Sequence, residues 1–314
     1  MGRSAHFAPG APPGMGVTMS IDLLKNRLSK LLRYLLLIAA LAYFLFPIYW
    51  LVLTSIKFPG DVTANPVIWI PKRVTIDNFR LLFGYKGPVW GTEEYTGRSF
   101  YQSVTPYLLN SVTVGVVSSV AGLLLGAALA YGIAKFGVGR GRLYSWILSL
   151  RMVHPVVIAI PMFLVFRAFR LIDTWVAVST AHLLISLPFA ALLLVGFFSD
   201  VPNELIDAAR LEGSTHIGAF FRVALPMVAP GLVAVLIISF LNSWNELLIA
   251  NALTNSARSQ TFPVFTTGFA QVERGTAWGI AAAGGVIGML PMLISVFYIQ
   301  RYLVRGLTMG AVIE

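Results

Sequence analysis

The sequence contains no cysteine and few charged residues, and each shortage excludes a class of protein. Without cysteine the chain has no disulfide framework, no thiolate chemistry and no cysteine-ligated metal. Charged residues make up 11% of the 314 residues, whereas an average soluble domain carries roughly 25%. The hydrophobic share of 57% and the mean hydropathy of +0.78 exclude intrinsic disorder. Because so few charges could not cover the surface of a soluble globule, the composition predicts a membrane protein.

Two motifs of nucleotide binding and catalysis are also absent from the sequence. No GxxxxGK[ST] phosphate loop occurs, and glycine is nowhere followed by lysine, so the chain is predicted not to bind ATP in that way. No HExxH or paired histidine spacing occurs, which leaves a metalloprotease or another intramembrane enzyme without a recognisable site. The chain is therefore predicted to have no catalytic residue, no cofactor and no metal of its own.

Six hydrophobic runs of about 20 residues predict six membrane-spanning helices. Arg151 and His154 interrupt the third run, so five spans remain an alternative on hydropathy alone. The spacing of Gly122 and Gly126 in the second run predicts close helix packing. Six spans would place both termini on the same side of the membrane. The runs cover approximately residues 31–53, 109–134, 143–166, 176–198, 231–253 and 280–303.

The net charge of +10 could indicate nucleic-acid binding, but that interpretation needs a basic patch on a soluble domain. Lys and Arg instead flank the predicted spans, where they act as orientation signals. The basic residues before span one, between spans two and three, and after span six fall on one side, which is predicted to be the cytoplasm. Arg167 and Arg170 are exceptions on the outer side.

These spans divide the chain unevenly. Residues 1–30 are predicted to form a partly disordered cytoplasmic tail, 31–54 the first transmembrane helix and 55–107 an extracytoplasmic loop. Residues 108–303 hold the other five transmembrane helices, and 304–314 form a cytoplasmic C-terminal tail. Within the outer loop, Ile76 to Phe83 is predicted to form a short amphipathic helix.

The cytoplasmic segment of about residues 199–230 has the pattern of two short helices at an angle. Gly213 can adopt the left-handed conformation that ends the first helix. Ser214 or Thr215 can cap the second helix, and Leu225-Pro226 marks a bend before span five. Four acids accompany only two arginines in this segment, whereas a helix lying on lipid headgroups is normally rich in Lys and Arg. The pattern therefore favours docking into a groove of another protein over a helix that lies on lipid.

Three ionisable residues, Arg151, His154 and Glu246, lie at membrane depth or near a span end. One interpretation is a translocation pathway that offers hydrogen bonds to sugar hydroxyls. The favoured alternative is structural pairing, for example of Arg151 with Glu246, since ionic groups in spans often pair with one another. For Trp244 the favoured interpretation is a packing residue, and the alternative is a ring that stacks on sugar. For His182 the favoured interpretation is a buried histidine with its hydrogen bonds satisfied, and the alternative is a ligand.

A resemblance to a known family rests on the spacing within the cytoplasmic segment. Asp207-Ala208-Ala209, then Gly213, Val223 and Leu225-Pro226, resemble the EAA signature of ABC importer permeases, in which Asp207 replaces Glu and Val223 replaces Ile. The stretch PKRVTIDNFRLLF at 71–83 and the ending QRYLVRGLTMGAVIE are similar to those of carbohydrate permeases, and so is Ser243-Trp244-Asn245-Glu246. The chain thus resembles the maltose or multiple-sugar type, over nearly everything after Leu31.

The resemblance implies an all-α membrane protein with the type I ABC importer permease fold, six transmembrane helices and both termini cytoplasmic. The cytoplasmic segment, called the EAA loop below, would dock on an ATPase through its coupling helix. The implied docking residues are Glu204, Asp207, Ala208, Ala209, Arg210, Glu212, Gly213, Val223, Leu225 and Pro226. The tail would also contact the ATPase, through Gly306, Leu307, Thr308 and Gly310. The translocation pathway would draw on Arg151, His154, Asn242, Trp244, Asn245 and Glu246.

The implied function is import of a sugar or sugar-like solute across the bacterial cytoplasmic (inner) membrane, powered by a partner ATPase. The implied partners are a second permease in a heterodimer, two ATP-binding subunits that hold ATP and Mg, an extracytoplasmic solute-binding protein, the solute and membrane lipid, without nucleic acid. A self-contained secondary transporter of a small polar solute is the alternative. It would need coupling carboxylates in the spans, and Glu246 is the only one there.

Overall fold

The computed structural model describes residues 15–90, 92–96, 103–139, 141–269 and 278–309. Most of these residues are helical, as expected for an all-α membrane protein. The elements up to the second long helix are α1 Met15–Ser55, α2 Pro59–Val62, α3 Asp77–Leu82, β1 Pro88–Val89, β2 Thr92–Thr96 and α4 Thr105–Phe136. They are followed by α5 Arg142–Arg151, α6 Pro155–Ala168, α7 Trp175–Ser199, α8 Asn203–Leu211, α9 His216–Ala219, a π-helical turn Phe220–Ala224 and α10 Leu225–Met227. The last are α11 Ala229–Trp244, α12 Leu248–Leu253, α13 Phe262–Thr267 and α14 Trp278–Met309.

The chain divides into two units after Leu53, so that all of helix α1 except its last two residues belongs to the first unit. The part of α1 from Arg27 to Ser55 is 29 residues long with a mean hydropathy of 2.3. At 1.5 Å per residue this length exceeds the roughly 30 Å of a bilayer core. The hydrophobic run predicted for residues 31–53 therefore lies within one continuous helix.

In the described residues, four helices are long and apolar enough to cross a membrane: α1, α4, α7 and α14. Two further pairs of helices pass the same criterion only together, and each pair is sharply bent. These are α5 with α6, at 93°, and the helical segment His216–Met227 with α11, at 79°. The structure thus has four to six spans, depending on whether each bent pair crosses as one.

The third hydrophobic run is broken between two helices, at the place where Arg151 and His154 interrupt it in the sequence. Helix α5 ends at Arg151 and α6 begins at Pro155. His154 is extended, with φ −70° and ψ 137°, because the ring of a following proline excludes the preceding residue from the helical region. The Nδ1 atom of His154 accepts the N–H of Val156 at 3.4 Å, so the histidine also caps α6.

The fifth run, predicted to be continuous from residue 231 to 253, is also interrupted. Helix α11 ends at Trp244 and α12 begins at Leu248. The carboxylate of Glu246 accepts the N–H groups of Ile249 and Ala250 at 3.0 and 3.1 Å. Because the first N–H groups of a helix lack partners within it, this carboxylate stabilises a new helix start. A residue expected inside a span is therefore a helix cap.

Helices α4 and α7 pack at close range, as the spacing of Gly122 and Gly126 predicts. A Cβ atom on Gly126 would lie 3.0 Å from the Cβ of Ala190 and 3.2 Å from the backbone nitrogen of Ala191. A Cβ atom on Gly122 would lie 2.9 Å from the Oγ of Ser186. Small residues let two backbones approach this closely, which is how helices associate in a membrane.

The outer segment between α1 and α4 is held by short helices and by one hairpin. Helix α3 confirms the amphipathic helix predicted for Ile76 to Phe83, whereas the pairing of β1 with β2 was not predicted. The amide of Asn78 donates to the carbonyls of Ser55 and Lys57, both at 2.9 Å. The carboxylate of Asp77 accepts the N–H of Trp90 at 2.7 Å. Polar side chains thus anchor this segment where hydrophobic patterning is weak.

Asp173 joins the turn before α7 to the segment after α12, and we call this set of contacts the outer clamp. Its carboxylate accepts the N–H groups of Asn255 and Ser256 at 2.9 and 3.0 Å. It also accepts the hydroxyls of Ser256 and Ser259. Burial alone would raise the pKa of Asp173, but these hydrogen bonds outweigh it and lower the pKa to about 2.

We expect the outer clamp to weaken on acidification. The pKa of Asp173 is lower in the folded chain than its usual value of 3.8. The stability that the charged carboxylate provides is therefore fully present above about pH 4 and is lost as the pH falls toward about 2. Asp173→Asn should lower the free energy of unfolding by about 1 kcal/mol near neutral pH. Thermal unfolding in detergent at several pH values measures the effect.

The wild type and the Asp173→Asn variant should therefore converge in stability at low pH. Asp200→Asn is a matched control, because Asp200 is exposed at the end of α7 and the described residues offer its carboxylate no hydrogen bond. A stability difference between wild type and Asp173→Asn that stays constant from neutral pH down to about pH 2 would contradict the assignment.

Candidate functional site

The first arm of the EAA loop is α8, which ends in a Schellman turn at Gly213. The N–H of Ser214 donates to the carbonyl of Ala209 and the N–H of Gly213 donates to that of Arg210, both at 3.0 Å. Gly213 has a φ of +92°, a conformation that costs a residue with a Cβ roughly 1–2 kcal/mol. A Cβ atom there would meet nothing within 4 Å. Backbone conformation, rather than space, is therefore what requires glycine at this position.

The second arm runs from His216 to Met227 and includes the π-helical turn. The Oγ1 atom of Thr215 accepts the N–H of Gly218 at 3.0 Å, so Thr215, one of the two predicted candidates, is the cap. A bend of 79° separates this arm from α11, as Leu225-Pro226 predicts. A π-helical turn inside a helix often marks a functional site.

The inner side of the EAA loop packs on the ends of α4 and α7. Ile206 in the first arm is buried in one cluster with Tyr131 of α4 and Phe198 of α7. The ring of Phe220 lies 4.9 Å from that of Tyr131 and 6.0 Å from that of Phe198, measured between centroids. A close-packed interior transmits displacement rather than absorbing it. A force on the loop therefore acts directly on two long helices.

A lysine fixes the start of the first arm to α4. The Nζ atom of Lys135 donates to the carbonyl of Val201 and, at 3.1 Å, to the Oδ1 of Asn203. Lys135 lies in the last turn of α4, where a cation is also favoured by the helix dipole. Sequence reasoning treated this residue only as an orientation signal.

The outer side of the first arm presents acids, a small residue and one leucine. Glu204, Asp207, Ala208 and Leu211 are exposed and follow the i, i+3, i+4, i+7 spacing of a single helix face. Leu211 is 90% exposed, and Ile217 on the second arm is 71% exposed. Sequence reasoning missed these two apolar residues as docking candidates. The available signal was their position on either side of the Gly213 turn.

The other implied docking residues divide between the two sides of the loop. Arg210, Glu212 and Pro226 are exposed, whereas Ala209, Val223 and Leu225 are partly buried. Ala209 and Leu225 pack against the buried cluster of the loop. In the tail, Gly306, Leu307 and Thr308 belong to α14, while Gly310 lies outside the described residues. The signature thus combines an outward surface with residues that hold the loop in place.

Glu246 belongs to a buried polar chain that links three long helices. Its Oε2 lies 3.1 Å from the Nε2 of His182, whose Nδ1 lies 2.6 Å from the Oγ of Ser243. Ser118 of α4 in turn donates to Ser243 at 3.2 Å. His182 is only 3% exposed, which confirms it as a satisfied buried histidine. The pairing of Arg151 with Glu246, which the sequence suggested, is wrong. The carboxylate of Glu246 instead contacts His182 and accepts hydrogen bonds from the backbone of α12.

The remaining pathway candidates lie in different surroundings. Trp244 is buried, donates from Nε1 to the carbonyl of Gly288 at 3.1 Å, and stacks on Phe240 and Phe262. Asn242 and Asn245 are exposed at the end of α11. Trp244 is therefore a packing residue, and the two asparagines are the polar groups that this end of α11 exposes.

No group of three or more His, Asp or Glu side chains that could hold a metal ion occurs within the part of the chain that the structure describes.

The long apolar helices, the two bent pairs and the close packing of α4 on α7 define a multi-pass helical membrane protein. The family model described as "Binding-protein-dependent transport system inner membrane component" matches residues 118–309. The chain belongs to this family, the permease subunits of ABC importers, in which separate subunits carry the ATPase activity.

Two curated relatives align with nearly the whole chain. The sulfoquinovosyl glycerol transport system permease protein SmoH of Agrobacterium fabrum is 30% identical, over 90% of this chain and 93% of the relative. The trehalose transport system permease protein SugB of Mycobacterium tuberculosis is 34% identical, over 86% of this chain and 93% of the relative. A solved bacterial ABC transporter that imports alginate has a chain with the same fold, with a TM-score of 0.70 and 18% identity over 88% of this chain and 97% of that chain.

Proposed function

We propose that this permease imports a sugar or sugar-like solute across the bacterial cytoplasmic membrane. Its partners are a second permease, two ATP-binding subunits that hold ATP and Mg, and an extracytoplasmic solute-binding protein. The observation that carries the substrate class is the alignment over most of the chain with permeases named for sugar derivatives. The family's dependence on a binding protein supports that partner.

The EAA loop is the site where ATP-driven motion enters the chain. Leu211 and Ile217 offer exposed apolar anchors beside Glu204 and Asp207. Apolar anchors surrounded by charges that steer the partner are the usual anatomy of a specific interface. Docking would seat the first arm in a cleft of the ATP-binding subunit with basic residues opposite Asp207. Closure of the two ATP-binding subunits would then push on the cluster around Phe220 and move α4 and α7 together. The tail residues Gly306 to Gly310 would add a second contact.

The solute pathway uses exposed polar groups rather than the buried chain around Glu246. Asn242 and Asn245 are exposed at the end of α11 and can donate and accept hydrogen bonds with hydroxyls. Two neighbouring residues would hold this end of α11 in place. Trp244 stacks on Phe240, and Glu246 caps α12. His154 lies exposed at the bend between α5 and α6 and offers a further polar edge.

Reconstitution tests the proposal. The chain would be expressed with its partner permease, ATP-binding subunits and binding protein, purified in detergent and placed in liposomes. We expect the ATP-binding subunit to co-purify and ATP-dependent uptake of a sugar probe such as trehalose to exceed uptake of glutamine. ATP-independent uptake by the single chain would overturn the proposal in favour of a secondary transporter.

A further inference from the structure

The buried polar chain around Glu246 ends at the break between α11 and α12. The carboxylate of Glu246 accepts the N–H groups of Ile249 and Ala250 in the first turn of α12. The Oε2 atom that accepts from Ala250 also lies 3.1 Å from the Nε2 of His182 on α7. The side chain that starts α12 is therefore the same one that contacts α7.

The hydrogen bonds of this chain run in one direction. An ionised carboxylate accepts and does not donate, so the Nε2 of His182 carries the proton in its contact with Glu246. The Nδ1 of a neutral imidazole then accepts, here from the hydroxyl of Ser243 at 2.6 Å. Ser243 in turn accepts from Ser118 of α4 at 3.2 Å. Because His182 and both serines are buried, little water reaches them to replace a bond that is lost.

The chain continues the close interface between α4 and α7. Ser118 and His182 each lie four residues, about one helical turn, before Gly122 and Ser186. Those two residues meet where the helices approach closely, since a Cβ atom on Gly122 would lie 2.9 Å from the Oγ of Ser186. The cluster around Phe220 holds the other ends of α4 and α7, about 20 Å further along each helix. The EAA loop and the polar chain are thus joined by the same two packed helices.

The break between α11 and α12 can change its angle without stretching a helix. Residues 245–247 belong to neither helix, and hinges are usually a few residues at the ends of such elements. Asn242 and Asn245, the exposed polar groups assigned to the solute pathway, lie at the α11 side of this break. Coupling between distant sites is carried by packed side chains and hydrogen-bond networks that have two arrangements.

We propose that the contact of His182 with Glu246 is the point where ATP-driven movement of α4 and α7 reaches the solute pathway. When the EAA loop moves these two helices, His182 carries the carboxylate of Glu246 with it and changes the angle of the break. The exposure of Asn242 and Asn245 then changes. His182 is a positioning residue, because it acts through Glu246 and does not touch the solute. The inference rests on the proposed function.

Two substitutions separate the two nitrogens of the imidazole. The amide of His182→Gln can replace the Nε2 donor to Glu246 while the contact with Ser243 is lost. The shorter amide of His182→Asn can keep the contact with Ser243 but leaves Glu246 without that donor. Because the chain has no cysteine, Asn242→Cys adds a single thiol, and a fluorescent maleimide reports its exposure in the assembled importer.

We expect a non-hydrolysable ATP analogue to change the labelling rate of Asn242→Cys about fivefold, the lower end of typical allosteric coupling. The added His182→Gln should preserve most of this change, and the added His182→Asn should abolish it. ATP hydrolysis should persist in all these variants, because the contact lies far from the EAA loop. Ser118→Ala is the matched control, since it shortens the chain on α4 but leaves His182 in contact with Glu246. It should respond like Asn242→Cys alone.

An undiminished response in His182→Asn would overturn the proposal. Equal losses in His182→Asn and His182→Gln would do so too, since packing of the ring rather than the donor to Glu246 would then matter. Failure of His182→Asn to assemble would make the contact purely structural and would also contradict the proposal. If Asn242→Cys alone gives no response to the analogue, the proposed ATP-driven function itself is wrong.

Discussion

Asp207→Lys is expected to abolish coupling between ATP hydrolysis and uptake while the chain still folds. Asp207 is exposed on the outer face of the first arm, so the substitution removes no buried contact. In the docked complex, however, it would place a cation against the basic cleft inferred for the ATP-binding subunit. A like-charge contact at an interface costs several kcal/mol, and about 2.8 kcal/mol already corresponds to a hundredfold loss of affinity. Uptake in reconstituted liposomes should fall at least tenfold.

The measurement separates coupling from folding by three readouts on the same preparation: thermal midpoint, co-purification of the ATP-binding subunit, and ATP hydrolysis stimulated by the binding protein. Asp200→Lys is the matched control, since it makes the same charge change two residues before Pro202 and outside α8. The control should couple normally. Wild-type stimulation and uptake in Asp207→Lys would exclude Asp207 from the interface.

Gly126→Val is expected to prevent stable folding of the transmembrane core. The new Cβ atom would lie 3.0 Å from the Cβ of Ala190 and 3.2 Å from the backbone nitrogen of Ala191. Because backbone cannot rotate away as a long side chain can, α4 and α7 would have to separate along their contact. Overpacking of a tight core costs typically 1–3 kcal/mol, and we expect the upper end of that range. The thermal midpoint in detergent and the yield of assembled importer measure the effect.

Gly196→Val provides the comparison within the same helix pair. Gly196 lies in α7, and a Cβ atom there would meet nothing within 4 Å. Its stability should therefore change by less than about 0.5 kcal/mol, as for an ordinary surface substitution. Similar losses in both variants would show that glycine flexibility, rather than the α4–α7 approach, is the property that matters.

The EAA loop shows how far sequence reasoning reaches. The end of the first arm at Gly213, the cap at Thr215 and the bend after Leu225-Pro226 all follow from local backbone chemistry, and the structure has each of them. Which side of α8 faces outward was not predicted, because packing of Ile206 against Tyr131 and Phe198 decides it. For the same reason the exposed Leu211 was missed.

The two interrupted runs show where hydropathy fails. A sliding window averages over His154-Pro155 and over Glu246, although the first forces an extended residue and the second caps a new helix. Both effects are local, yet both resemble ordinary polar interruptions of a span. The partner of Glu246 could not be predicted from the sequence either, because His182 lies 64 residues away in the chain.

The sequence by itself determined the class of protein, the approximate positions of the spans and the two-helix form of the EAA loop. It did so because apolar length, glycine and proline act through the local backbone and through transfer from water to lipid. Only the tertiary structure decided that Glu246 pairs with His182, which rings Trp244 packs against, and that Arg151 lies against Phe189. These depend on which helices meet and at what angle, and a one-dimensional pattern of residues does not specify that geometry.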